Sequence, residues 1–146
     1  MSNLDIDNLA SRLGITMYVG TYSRDTVKTL PKPTSSSDQY AIMNLETHLE
    51  AGSHWVCLAY TTKHMMYFDS YGLYPPEELQ VFAKHHGLKI YYQNERLQQN
   101  SKRCGWFCLK FGIMYCIDHI SLAQITPKNL NEKIVLQFQR ATNARA

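Results

Sequence analysis

Apolar residues at Ile6, Leu9, Ala10 and Leu13 share one helical face, and Gly14 follows where such a helix stops. Ile15 to Tyr22 then reads as a strand, with Tyr18, Val19 and Tyr22 as β-favouring residues. Leu30 to Asp38, rich in Pro, Ser, Thr and Lys, reads as a surface loop, and Tyr40 to Thr47 as a second strand. Two further strands, His54 to Tyr60 and Met65 to Asp69, are joined across Thr61 to His64, a stretch that suits a hairpin turn. Pro75 to His86 is a helix: two prolines and Glu77-Glu78 open it, and Lys84, His85 and His86 close it before Gly87, matching the helix dipole at both ends. Leu88 to Tyr92 is a strand and Gln93 to Arg103 a polar loop. From Cys104 to about His119 the pattern is helical and apolar nearly all round, which predicts a buried central helix. Asn129 is the expected cap of a last helix carrying Leu130, Ile134 and Phe138 on one face. This order predicts one α+β domain over residues 1–146, with a mixed, mostly antiparallel sheet packed against the central helix.

Composition narrows the class. With 146 residues, 45% hydrophobic and 18% charged, the chain can bury a core and is not of the disordered type. No apolar run approaches the roughly 20 residues that cross a bilayer, so no membrane contact is expected. Met1 to Asp7 is polar and acidic, unlike a secretory signal, which predicts a protein made in a cytosol and not secreted. The net charge of +3 is a mild bias that does not by itself argue for nucleic acid. Lys84, His85 and His86 are read as the charged end of a helix. The four cysteines form no CxxC and show no metal spacing, so no metal or cofactor is expected. Cys57, Cys108 and Cys116 are read as small buried hydrophobes.

Cys104 is different because it stands where the polar loop meets the buried helix. A thiolate there is stabilised by the positive helix end and by any nearby imidazolium. Gly105 follows, and its missing side chain lets a substrate backbone approach. His54 opens the first hairpin strand after Ala51-Gly52-Ser53, and Asp69 closes the second. With the turn centred on Thr62 and Lys63, paired residues have numbers summing to 125. Val56 then faces Asp69, His54 faces Tyr71, and His54 and Asp69 are diagonal neighbours on one face. A shift of one residue would separate them. His48, His64, His85, His86 and His119 are read as ordinary surface or core histidines. Gln98, six residues before Cys104, has an amide able to donate to an oxyanion together with the Cys104 N–H, and composition alone does not separate it from Gln99.

These residues resemble the adenain family of adenovirus maturation proteases and the wider clan it shares with the ubiquitin-like-protein proteases. The likeness runs in order through Val19-Gly-Thr-Tyr-Ser, Ala41-Ile-Met-Asn, Gly52-Ser-His-Trp, Tyr67-Phe-Asp-Ser-Tyr-Gly and the Gln98 to Cys108 segment. It implies a cysteine endopeptidase with the clan's papain-like core. Cys104 would be the nucleophile, His54 the base and acid, Asp69 the orienting acid and Gln98 an oxyanion donor. Trp55, beside the base, and Gly105 are the expected substrate-binding residues. Asp69 departs from the adenoviral glutamate and matches the cellular relatives, as does the six-residue spacing that favours Gln98 over Gln99. The stretch from Lys89 to Leu97 has no cysteine, where adenain takes a disulfide from its activating viral peptide. Covalent peptide activation is therefore not expected, and +3 is thin support for activation by DNA.

The resemblance further implies a monomeric enzyme that cleaves viral structural precursor proteins after small, glycine-containing sites, since a narrow groove rejects larger side chains. It would act in the virion and in the host cytoplasm or nucleus, in an adeno-like DNA virus or a virophage. Three alternatives stand beside it: removal of ubiquitin-like modifiers, acetyl transfer on the same scaffold, and a non-enzymatic DNA- or capsid-binding role. The last draws on the basic balance and ten tyrosines, but no aromatic-basic stacking motif is present.

Overall fold

The computed structural model describes residues 1–46 and 54–145. Thr47, His48 and the Ala51-Gly52-Ser53 segment lie outside the described residues. The chain runs α1 (Asn3–Arg12), β1 (Tyr18–Ser23), β2 (Gln39–Asn44), β3 (Trp55–Tyr60), β4 (His64–Phe68), α2 (Glu77–His85), β5 (Lys89–Tyr92), α3 (Cys104–Gly112) and α4 (Glu132–Ala144). Short 3-10 turns at Val27–Thr29 and Leu122–Gln124 connect them, and a π turn, Ile113–Ile117, prolongs α3. These are the elements that the hydrophobic pattern predicts, with ends displaced by one to three residues. The largest displacement is at the last helix. Asn131, not Asn129, caps it, with Oδ1 accepting from the Ile134 N–H at 3.0 Å. Asn129 instead closes the preceding turn, accepting from the Thr126 N–H. Both are cap-type residues on a polar run, so pattern alone does not choose between them.

The five strands lie side by side in sequence order. The sheet is mixed: β2, β3 and β4 are antiparallel neighbours, while β1 joins β2 and β5 joins β4 in parallel. The parallel edge at β5 follows from α2, which supplies the crossover that a parallel pair needs. In the β3–β4 hairpin every pair from Cys57↔Phe68 to Tyr60↔Met65 sums to 125, as the predicted turn requires.

Alternation along these strands sorts two cores. Trp55, Cys57, Ala59 and Phe68 face α3, while Val56, Leu58, Tyr60, Met65 and Tyr67 face α2 through Leu79, Phe82 and Ala83. Both faces of β3 are covered, which is why its six residues are all buried and read as a continuous apolar run. In α3 every residue is buried except Lys110. Full burial of Phe107, Leu109 and Phe111 stabilises the fold by about 1.5–3 kcal/mol each. Gly112 lets α3 approach β2, since a Cβ there would stand 2.9 Å from the Tyr40 ring. The Tyr40 hydroxyl in turn donates to the Cys108 carbonyl at 2.5 Å. This pins the helix to the sheet and with it the position of Cys104, one turn before Cys108.

Candidate active site

Three chain ends meet at one edge of the sheet. Cys104 is the first residue of α3. His54 directly precedes β3, and its carbonyl accepts from the Leu45 N–H at 3.0 Å, so the β2 side of the sheet holds its backbone. Asp69 directly follows β4. Because the hairpin keeps its register, His54 Nε2 donates to Asp69 Oδ1 at 2.8 Å. That leaves Nδ1 for the other side of the ring, where the imidazole and the Cys104 thiol are hydrogen-bonded. The Trp55 N–H also donates to Cys104 Sγ, at 3.4 Å.

The His54 ring is held flat against Tyr71, with centroids 4.6 Å apart and planes 21° from parallel. Tyr71 is the residue that the register places opposite His54, and its own N–H donates to Asp69 Oδ1 at 2.8 Å. Asp69 is 1% exposed, and its Oδ2 is buried with no hydrogen-bond partner among the described residues. A buried carboxylate so placed makes a cation on the neighbouring ring favourable.

The electrostatics follow from this packing. Burial disfavours charge on His54, but the hydrogen bonds to Asp69 and Cys104 and their negative charges outweigh it, and the imidazole is pushed up to about 9. Burial likewise disfavours a thiolate at Cys104. The His54 hydrogen bond, the Trp55 N–H and the positive ring outweigh it and hold the thiol below its ordinary value. Cys108 and Cys116 have no such partners, and burial pushes them up, Cys116 to about 12. The four thiols, all free and buried, thus divide into one activated sulfur and inert neighbours.

The sign of the pH dependence follows. The thiolate–imidazolium pair exists between the lowered Cys104 value and about 9. Alkylation of Cys104 by iodoacetamide should therefore rise through a midpoint below the roughly 8.5 of a free thiol and stay high. Peptide cleavage should fall again above about pH 9, because neutral His54 lacks the proton a leaving amine needs. A single alkylation midpoint at or above roughly 8.5 for Cys104 would contradict the pairing.

Cys104, His54 and Gln98 line one cleft of about 530 Å³, with Trp55 and Gly105 beside them. The structure thus brings together all six residues singled out in the sequence, since Asp69 stands directly behind His54. It also separates the two glutamines. Gln98 is 1% exposed and faces the cleft, whereas Gln99 is exposed, its N–H donating to Glu132 Oε1. Nothing in the sequence marks Met1 as a cleft residue. Ser2 and Asp5 form a capping box at the start of α1. Met1 lies over Gly105, where an added Cβ would come within 2.5 Å of its sulfur. A larger cavity of about 770 Å³, between residues 24–32 and α2, contains none of the candidate catalytic residues. Among the described residues no group of three or more His, Cys, Asp or Glu could hold a metal ion, and no helix is long and apolar enough to cross a membrane.

No protein-family model and no curated protein sequence matches the chain. Solved structures do. A crystal structure of the ASFV protease superposes with a TM-score of 0.65 at 19% identity, over 94% of this chain and 65% of that one. Its selenomethionine form gives 0.65 at 17% identity, over 95% and 66%. The SUMO protease Ulp1, with its catalytic cysteine oxidised to a sulfinic acid, gives 0.53 at 16% identity, over 97% and 64%. The chain therefore spans about two thirds of each of these proteins and has the α+β fold they share.

Proposed function

We propose that this chain is a cysteine endopeptidase acting through Cys104, His54 and Asp69. The observation that carries the proposal is the buried relay from Asp69 through His54 to a thiol held below its ordinary pKa. The Cys104 thiolate attacks the scissile carbonyl carbon, and the carbonyl oxygen becomes an oxyanion. The Cys104 N–H, orphaned at a helix start, and the Gln98 amide offer it donors. As the C–N bond breaks, protonated His54 gives its proton to the leaving amine, and a thioester remains on Cys104. Neutral His54 then takes a proton from water, whose oxygen attacks the thioester. The acid product leaves and the thiolate–imidazolium pair is restored. Asp69 keeps its charge throughout and holds Nε2–H, so that Nδ1 faces the sulfur.

The proposed substrates are virion precursor proteins cut after small residues. A viral protease sharing the fold supports this, as does the lack of a side chain at Gly105 beside the nucleophile. The likeness to the SUMO protease, together with an aspartate at position 69, supports a second reading, removal of ubiquitin-like modifiers. Incubation with virion precursors and with modifier fusions separates the two. Cleavage of precursors at Gly-Gly or Gly-X sites is expected. Cleavage of the fusions alone would overturn the maturation role and keep the protease, while cleavage of neither would overturn both.

A further inference from the structure

Gln98 is engaged on almost every side. Its backbone N–H donates to the Ser70 carbonyl at 2.9 Å, as does that of Leu97 at 2.8 Å. Its own carbonyl accepts from Arg96 Nε at 2.9 Å. In the side chain, Nε2 donates to the Ser101 carbonyl at 2.8 Å, and Oε1 accepts from Ser70 Oγ at 2.5 Å. A carbonyl can only accept, so the nitrogen must be the atom next to Ser101, and the Ser70 hydroxyl must be the donor to Oε1. One amide hydrogen remains, on a side chain that lines the cleft beside Cys104.

Ser70 directly follows Asp69 and is 1% exposed. The turn that carries both abuts the chain leading to Gln98, backbone to backbone. Gly72 there has φ +75°, and a Cβ on it would stand 2.7 Å from the Glu95 carbonyl carbon and oxygen. The triad acid and the oxyanion donor thus ride on one tightly packed unit.

We propose that Ser70 is a positioning residue whose hydroxyl fixes the Gln98 carboxamide, so that an N–H and not the carbonyl oxygen faces the developing oxyanion. This rests on the reading of the chain as a cysteine protease with Gln98 at its oxyanion site. Without the hydroxyl, Oε1 is buried and unpaired. Rotation of the amide relieves that cost by turning an acceptor toward the place where negative charge forms, which works against the reaction.

The test is a mutant cycle in the full chain, Ser70→Ala, Gln98→Ala and both together, read with a fluorogenic peptide, a peptide aldehyde and iodoacetamide. Complete loss of an oxyanion donor costs about 10²–10³ in kcat, so Ser70→Ala should lower kcat about tenfold or more with KM nearly unchanged. Aldehyde affinity should weaken by a similar factor, since its adduct carries the same oxyanion. Alkylation of Cys104, which forms no oxyanion, should keep its rate. In the Gln98→Ala background the Ser70 change should add nothing. Ser70→Cys, which conserves volume and weakens the donor, gives the same readings if the alanine variant loses its fold. Unchanged kcat, a loss that adds fully to that of Gln98→Ala, or an equal fall in alkylation would overturn the Ser70 role while the protease stands. A wild-type chain that cleaves no peptide and shows no preferential Cys104 alkylation removes both.

Discussion

Cys104→Ala is expected to abolish peptide cleavage and leave the fold in place. The sulfur is the one atom in the cleft that combines a lowered pKa, an adjacent protonated base and a position at a helix start. Alanine keeps the helix, because it is the best helix former and Cys104 contributes only a weak 3.4 Å contact to the Trp55 N–H. Nucleophile and base act as a unit, so the loss should reach about 10⁴-fold or more, to the level of the uncatalysed reaction. Thermal unfolding should show a Tm close to that of the wild-type chain. Substantial residual cleavage in a folded variant would place the nucleophile elsewhere, and Cys57, Cys108 and Cys116 offer no activated thiol to replace it.

His54→Ala is expected to be nearly as severe, at about 10³–10⁵-fold in kcat/KM, for two reasons that can be measured apart. The leaving amine loses its proton donor. The thiol also loses the partner that holds it ionised, and burial, the largest influence on Cys104, is then opposed mainly by the Trp55 and Gly105 N–H groups. The alkylation midpoint should therefore move up, past the roughly 8.5 of a free cysteine. A cleavage loss without that upward move would show that the ring is not the group that ionises the sulfur. Asp69→Asn should cost less than either change. The carboxylate touches neither sulfur nor substrate, and acts by holding Nε2–H and favouring the ring's charge. In that variant cleavage should lose its alkaline limb near pH 9 and shift it toward neutrality, because the acceptor that raises His54 has become a neutral amide.

Much of this site is legible in the chain because two short-range rules govern it. A tight turn at Thr62 and Lys63 leaves one register for β3 and β4, and period-two alternation then puts His54 and Asp69 on one face. The start of α3 is legible because polar residues give way abruptly to an apolar helix at Cys104. The resemblance to the adenain clan rests on these same residues. The parallel pairing of β1 is not legible, since the strand carries no mark of its partner and every one of its residues is only half buried. Ser70 is unreadable for a related reason. A serine after an acid in a turn looks solvated, and only the approach of the 94–98 segment buries it against Gln98.

Neighbours along the chain suffice to say which residues have the chemistry and which local elements carry them: a thiol at a helix start, an imidazole and a carboxylate at facing ends of one hairpin, and two glutamines upstream. Local propensity, turn chemistry and alternation act over a few residues, so a short window holds all that is needed to read them. Folding in three dimensions adds that the hairpin's open end meets α3. It also turns Gln98 and not Gln99 inward, and sets Ser70 and Tyr71 to grip the amide and the ring. Those facts depend on contacts between residues some 15 to 50 positions apart, whose geometry is set by packing the central helix on the sheet, and no window of sequence contains that packing.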